Sequence, residues 1–128
     1  MEIIRCKNNI IFQQTQIVYK TTGTGSPVVL IHGFAEDSTI WDNQVEFLKD
    51  KFRLIIPDLP GSGKSDLITN KDTGISAYAE VIKQILDAER IEKCIMIGHS
   101  MGGYITLSFA EIYTTSLIAF GLFHSSAY

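Results

Sequence analysis

The chain has 128 residues, enough for one domain and short for two. Its 11 Lys and Arg stand against 14 Asp and Glu, a net charge of −3, which excludes the basic footprint of a nucleic-acid binder. With 45% hydrophobic and 20% charged residues it has the composition of a folded globular chain, not of a disordered one. Residues 117–123 form the longest apolar stretch near the end, far below the roughly 20 residues that span a bilayer. The first residues, Met-Glu-Ile-Ile-Arg-Cys-Lys, lack the apolar segment of a secretory signal. Cys6 and Cys94 are too isolated for a disulfide framework or a metal site. We therefore expect two reduced thiols, a cytoplasmic protein, and neither membrane nor metal among its partners.

Taken in chain order, residues 3–6 and 16–19 read as short strands, and Thr22-Gly23-Thr24-Gly25-Ser26-Pro27 as a turn cluster. Residues 28–31 are a continuous aliphatic run, the pattern of a strand buried on both faces of a parallel sheet. Asp37-Ser38-Thr39 precedes a helix expected over 40–49, where Trp41, Val45 and Leu48 recur at helical spacing. A second buried strand over 52–56 stops at the loop Pro57-Asp58-Leu59-Pro60-Gly61. Ser76 is the expected cap of a helix running to Arg90, with Glu80 one residue late for a capping box. Its apolar face carries Tyr78, Val81, Ile82, Ile85 and Leu86. Residues 94–97 give a third buried strand, 102–113 a helix, and 117–123 a fourth strand. Alternation of buried strands with helices predicts an α/β fold with a mostly parallel central sheet flanked by helices. In such sheets the chemistry gathers at the carboxyl ends of the strands.

One motif stands at such an end. Gly98-His99-Ser100-Met101-Gly102-Gly103 matches G-x-S-x-G, after a buried strand and before a helix. A nucleophilic serine must stand clear of the sheet, and a sharp strand-to-helix turn achieves this at the cost of backbone strain. The turn brings strand and helix so close that only small residues fit, and Gly98 and Gly102 supply the space. The Met101 N–H, at the helix N-terminus, would face the oxyanion of an acyl-transfer intermediate. A second donor is expected after an earlier strand, where His32-Gly33-Phe34 lies. Gly33 permits the tight turn, the Phe34 N–H is the candidate donor, and the Phe34 ring would wall the acyl site.

These two blocks, with Asp58-Leu59-Pro60-Gly61-Ser62-Gly63-Lys64-Ser65 between them, make the chain resemble the α/β-hydrolase superfamily, closest to its small esterase-like branch. The resemblance covers essentially the whole chain but only the N-terminal part of that fold. It implies that a cap and further C-terminal strands lie outside residues 1–128. It also implies a serine hydrolase acting on ester-type carbonyls through an acyl-enzyme at Ser100, without cofactor. His32 would brace a loop, and His99 would pack beside the turn.

The expected catalytic order is serine, acid, histidine. After Ser100 the chain holds one acid, Glu111, and one histidine, His124. Glu111 lies about 16 Å along the helix that starts at the serine and cannot serve as the acid. His124 ends a strand expected beside that of Ser100, which makes it a candidate base by proximity, but the expectation is a histidine hydrogen-bonded near the site rim. No triad acid or base is identifiable, so the chain alone is expected to be weak or inactive. Its last strand is expected to leave an apolar edge that pairs with a second copy or a C-terminal fragment.

Other readings carry less. Ser62-Gly63-Lys64-Ser65 resembles the end of a phosphate-binding loop, but Asp58 occupies the first glycine position and Pro60 lacks an N–H. Asp58 and Gly61 are better read as shaping the loop. An alternative function is a non-catalytic, receptor-like protein of the same fold. Trp41 and Tyr104 could line a pocket, but helix packing is the expectation for both.

Overall fold

A computed structural model describes residues 6–67 and 74–125. Six strands form one sheet in the order β1-β2-β4-β3-β5-β6. They are β1 (Cys6–Phe12), β2 (Thr15–Thr22), β3 (Ser26–Ile31), β4 (Phe52–Pro57), β5 (Cys94–His99) and β6 (Leu117–Phe123). β4, β3, β5 and β6 run parallel, β2 joins β4 antiparallel, and β1 pairs antiparallel with β2. The helices are α1 (Asp42–Leu48), α2 (Ile75–Ala88) and α3 (Met101–Ile112). No helix among the described residues is long and apolar enough to cross a membrane.

The continuous aliphatic run of β3 explains its central place. Val28 and Leu30 face Trp41 and Val45 together with Leu54 and Ile56 of β4. Val29 and Ile31 face the other side, with Val81, Ile82, Ile85 and Leu86 of α2 and Ile105 and Phe109 of α3. Each such fully buried side chain contributes roughly 1.5–3 kcal/mol. The four α2 residues recur at helical spacing, so one helix face covers one sheet face.

Several boundaries differ from expectation. The first strand was expected over 3–6, and residues 1–5 lie outside the described residues; the observed strand begins at Cys6 and runs to Phe12. Asn8 and Asn9 hide it in the sequence, yet they pair with Tyr19 and Val18 in a hairpin closed by Gln13 and Gln14. The helix expected over 40–49 begins as a 3-10 turn over Ser38–Trp41, capped by Asp37, whose carboxylate accepts the Thr39 N–H at 2.8 Å. Ser76 does not cap α2; Gly74 occupies the cap position without a side-chain bond, and Ser76 lies inside the helix.

The parallel core sets the site. The carboxyl ends of β4, β3, β5 and β6 stand side by side, so the segments that follow them share one rim. β6 is an edge strand, with Ile118, Phe120 and Phe123 exposed.

Candidate functional site

The rim is built around Ser100. It lies between β5 and α3 with φ 56 and ψ −119, the dihedrals of the first central residue of a type II′ turn, where glycine is the usual occupant. Packing forces this sharp turn. A Cβ on Gly98 would collide with the Gly102 carbonyl, and one on Gly102 would lie 2.7 Å from the His32 carbonyl oxygen. A Cβ on Gly33 would lie 2.9 Å from the Ser100 Cβ and 2.9 Å from the His99 carbonyl oxygen. The glycines thus let the His32-Gly33-Phe34 segment sit directly against the serine. The Phe34 ring is largely exposed.

The three histidines occupy different environments. His32 is fully buried. Its Nε2 accepts the Leu59 N–H at 2.9 Å, so the ring proton sits on Nδ1, which donates to the Gly33 carbonyl at 2.8 Å. Burial holds its pKa below the usual 6.5, and it acts as a neutral brace between the loops after β3 and β4. His99 does more than pack. Its Nδ1 lies 2.8 Å from Glu36 Oε1, and because a carboxylate only accepts, that nitrogen carries a proton. The same oxygen accepts the Gly33 N–H at 2.7 Å. Burial opposes the Glu36 charge, but the bonds from His99 and Gly33 outweigh it and hold the carboxyl below its usual range. His124 sits at φ 49 after β6, with its ring centroid 5.7 Å from that of His99. No hydrogen bond joins a histidine to the Ser100 hydroxyl among the described residues.

Ser100, Tyr104, His124 and Ser125 line an open cleft of about 500 Å³. Tyr104 therefore departs from the expected helix packing: it is 41% exposed and faces the cleft. Trp41 is buried in the core on the α1 side, with its ring edge-on to His99. The backbone of Ser100 is tied to the cleft wall. Its N–H donates to the Phe123 carbonyl at 3.0 Å, and its carbonyl accepts the Ser125 hydroxyl at 2.8 Å. Glu111 is exposed on α3, within the helix span that ends at Ile112.

Asp58 anchors the loop after β4. Its carboxylate accepts the Ser38 N–H at 2.9 Å and the Lys64 N–H at 3.0 Å, and Gly63 at φ 53 folds over it. A loop filled by a carboxylate is not a phosphate cradle. Among the described residues no cluster of metal-ligating side chains exists. Cys94 is buried at the start of β5, and burial pushes its thiol up to about 11.

Sequence reading missed two participants, Glu36 and Ser125. Glu36 is a turn carboxylate that reaches back to an N–H three residues earlier, a signal visible in principle. Its bond to His99, across 63 positions, is visible only in the fold. Ser125 has no local pattern at all, and for Tyr104 the pocket is the less favoured of the two sequence readings.

Chemically, the rim presents a strained, accessible serine beside backbone N–H groups at the start of α3 and in the Gly33-Phe34 turn. Comparison with known proteins gives the family of the chain. A 2-hydroxy-6-oxo-6-phenylhexa-2,4-dienoate hydrolase of Comamonas testosteroni is 32% identical over 105 residues, 79% of this chain and 37% of its own length. A thermophilic esterase from Thermogutta terrifontis superposes with a TM-score of 0.85 at 35% identity, covering 97% of this chain and 46% of the esterase. The epoxide hydrolase CorEH superposes with a TM-score of 0.91 at 24% identity, over 95% of this chain and 43% of its own, a likeness of fold alone. The chain thus spans less than half the length of these relatives. The alpha/beta hydrolase fold family matches residues 26–122, from the start of β3 through most of β6, and the chain belongs to that family.

Proposed function

We propose that this chain carries the nucleophile and oxyanion-binding half of a serine hydrolase, with Ser100 attacking an ester-type carbonyl. The observation that carries the reading is the serine at φ 56, ψ −119, a conformation that favours glycine, at the rim of an open cleft. In the proposed reaction the Ser100 oxygen bonds to the carbonyl carbon as its proton leaves to a base. The developing oxyanion is held by the Phe34 and Met101 N–H groups. Collapse expels the alcohol and leaves an acyl-enzyme, which water cleaves to the acid.

His124 lines the cleft with Ser100 but is not hydrogen-bonded to its hydroxyl among the described residues, and the other two histidines are committed elsewhere. His32 has both ring nitrogens bonded, and His99 is turned to Glu36. In this reading the acid and histidine come from polypeptide outside residues 1–128, paired along the exposed edge of β6. A second substrate class is favoured by the relatives: two are 2-hydroxy-6-oxo-6-phenylhexa-2,4-dienoate hydrolases, at 32% and 34% identity, and three are 2-hydroxy-6-oxononadienedioate/2-hydroxy-6-oxononatrienedioate hydrolases, at 34%, 35% and 34%. The same serine would then act on a ketone carbonyl and break a carbon–carbon bond. Turnover of an acetyl ester against such a dienoate separates the two.

The primary test is fluorophosphonate treatment followed by intact-mass measurement of the 14.3 kDa chain. With the acid and histidine outside residues 1–128, the expected result is a slow single adduct that disappears in Ser100→Ala. An adduct that survives Ser100→Ala overturns the assignment of the nucleophile to Ser100, and absence of any adduct on the folded chain overturns activation of the serine by this chain alone.

A further inference from the structure

The two candidate oxyanion donors, Phe34 N–H and Met101 N–H, have a common feature in their surroundings. Each N–H shares a planar trans peptide with the carbonyl of the residue before it, and in such a peptide the two groups point in opposite directions. Fixing the carbonyl therefore aims the N–H. Both carbonyls are held by a side-chain donor. The Gly33 carbonyl accepts His32 Nδ1 at 2.8 Å, and the Ser100 carbonyl accepts Ser125 Oγ at 2.8 Å. His32 comes from the same loop as the peptide it fixes. Ser125 comes from the segment after β6, a different part of the fold.

The contact between Ser125 and the serine turn is built into the packing. A Cβ on Gly103 would collide with the Ser125 hydroxyl and lie 2.6 Å from its Cβ, so glycine at 103 is what lets Ser125 rest on the first turn of α3. The same segment holds the other side of Ser100, whose N–H donates to Phe123 at 3.0 Å. The Ser100 carbonyl also accepts the Gly103 N–H at 2.9 Å, so two donors converge on it. A carbonyl that accepts hydrogen bonds polarises its peptide and makes the N–H at the far end a stronger donor.

From this geometry we infer that Ser125 is a positioning residue, whose hydroxyl fixes and polarises the Ser100–Met101 peptide so that the Met101 N–H is held ready to bind an oxyanion. The use of that N–H rests on the acyl-transfer reading above; the orientation of the peptide does not. Ser125 also lines the cleft with Ser100, so its hydroxyl couples the cleft wall to the reacting residue. A bound group that drew the Ser125 hydroxyl into the cleft would release the Ser100 carbonyl.

The test compares wild type, Ser125→Ala and Ser125→Thr in the 128-residue chain, with two readouts. The first is the amide nitrogen and proton shift of Met101, which reports a hydrogen bond to the carbonyl of its own peptide. The second is the rate of fluorophosphonate labelling of Ser100. Loss of an oxyanion donor costs about 10²–10³ in rate, so misaiming one without removing it is expected to cost about tenfold. Ser125→Ala should shift the Met101 amide and slow labelling, with the rest of the spectrum and the thermal midpoint little changed. Ser125→Thr, which keeps the hydroxyl, should restore both. An unmoved Met101 amide in a folded Ser125→Ala overturns the inference, as does labelling at the wild-type rate. If Ser125→Ala fails to fold, Gly103→Ala, which displaces Ser125 without removing its hydroxyl, must shift the same amide for the inference to stand. If wild type is not labelled but the Met101 amide still depends on Ser125, positioning stands and activation of Ser100 by this chain alone falls.

Discussion

Two bends on the same rim need backbone with positive φ, and they meet that need in opposite ways. The loop after β4 uses glycine: Gly61 at φ 80 and Gly63 at φ 53. It turns around a buried carboxylate, Asp58, and is held from behind by neutral His32. The turn after β5 places Ser100 at φ 56, a side chain where glycine would be relaxed. Shape alone is solved without strain in the first bend. In the second the chain tolerates strain because the position must carry a hydroxyl, and the surrounding contacts to Phe123, Gly103 and Ser125 fix the conformation.

The comparison predicts that the structural loop fails first when its brace is removed. His32→Ala opens a cavity in a fully buried site and leaves the Leu59 N–H and Gly33 carbonyl without their side-chain partner, a loss of about 4 kcal/mol by urea unfolding. The same brace is acid-sensitive. Folding lowers the His32 pKa from 6.5, so as pH falls through that value the unfolded chain takes up its proton first. The stability from this source is complete above 6.5 and is lost below it as pH falls through the folded pKa. His32→Ala lacks that loss, so its stability gap to wild type should narrow from about pH 8 to about pH 5.5. A gap independent of pH would show that the ring is not a buried neutral brace.

Within the same loop, the glycines should differ from each other. Gly63→Ala drives a Cβ to 2.6 Å from Asp58 Oδ1 at φ 53, against a carboxylate held by two N–H groups. The expected cost is about 3 kcal/mol, from strain plus disruption of those bonds. Gly61→Ala meets Leu67 Cδ1 at 2.9 Å, the end of a flexible side chain, and should cost only about 1 kcal/mol from the backbone alone. Equal losses at the two positions would mean that Asp58 is not the hub of the loop.

How much of this was legible follows from how local each determinant is. The strand over Val28 to Ile31 is readable because burial on both faces demands an unbroken aliphatic run. The site glycines and Ser100 are readable because the sharp turn confines its residue types to a short segment. β1 is not, since Asn8 and Asn9 weaken its pattern and its hairpin turns at Gln13 and Gln14, φ 47 and 65, without the usual Asn-Gly. The start of α2 is misread because Ser76 looks like a cap, while the cap position falls on Gly74, which makes no side-chain bond. Glu36 and Ser125 escape for a different reason. Each acts by meeting a residue 63 or 25 positions away, and only the sheet order brings the partners together.

The smallest predicted effect is also the most direct probe of strain. Ser100→Gly should abolish labelling by removing the nucleophile and at the same time stabilise the fold. Relief of the positive-φ penalty is offset in part by the greater freedom of glycine in the unfolded chain, leaving a gain of about 1 kcal/mol. For a chain of this size that is a rise of roughly 4 °C in thermal midpoint. Ser100→Ala supplies the control, because it removes the hydroxyl but keeps the Cβ and therefore keeps the strain. The difference between the two variants isolates the backbone term from any lost contact of the hydroxyl. If glycine and alanine unfold at the same temperature, φ 56 at position 100 carries no energetic cost, and the contrast between the two bends reduces to packing.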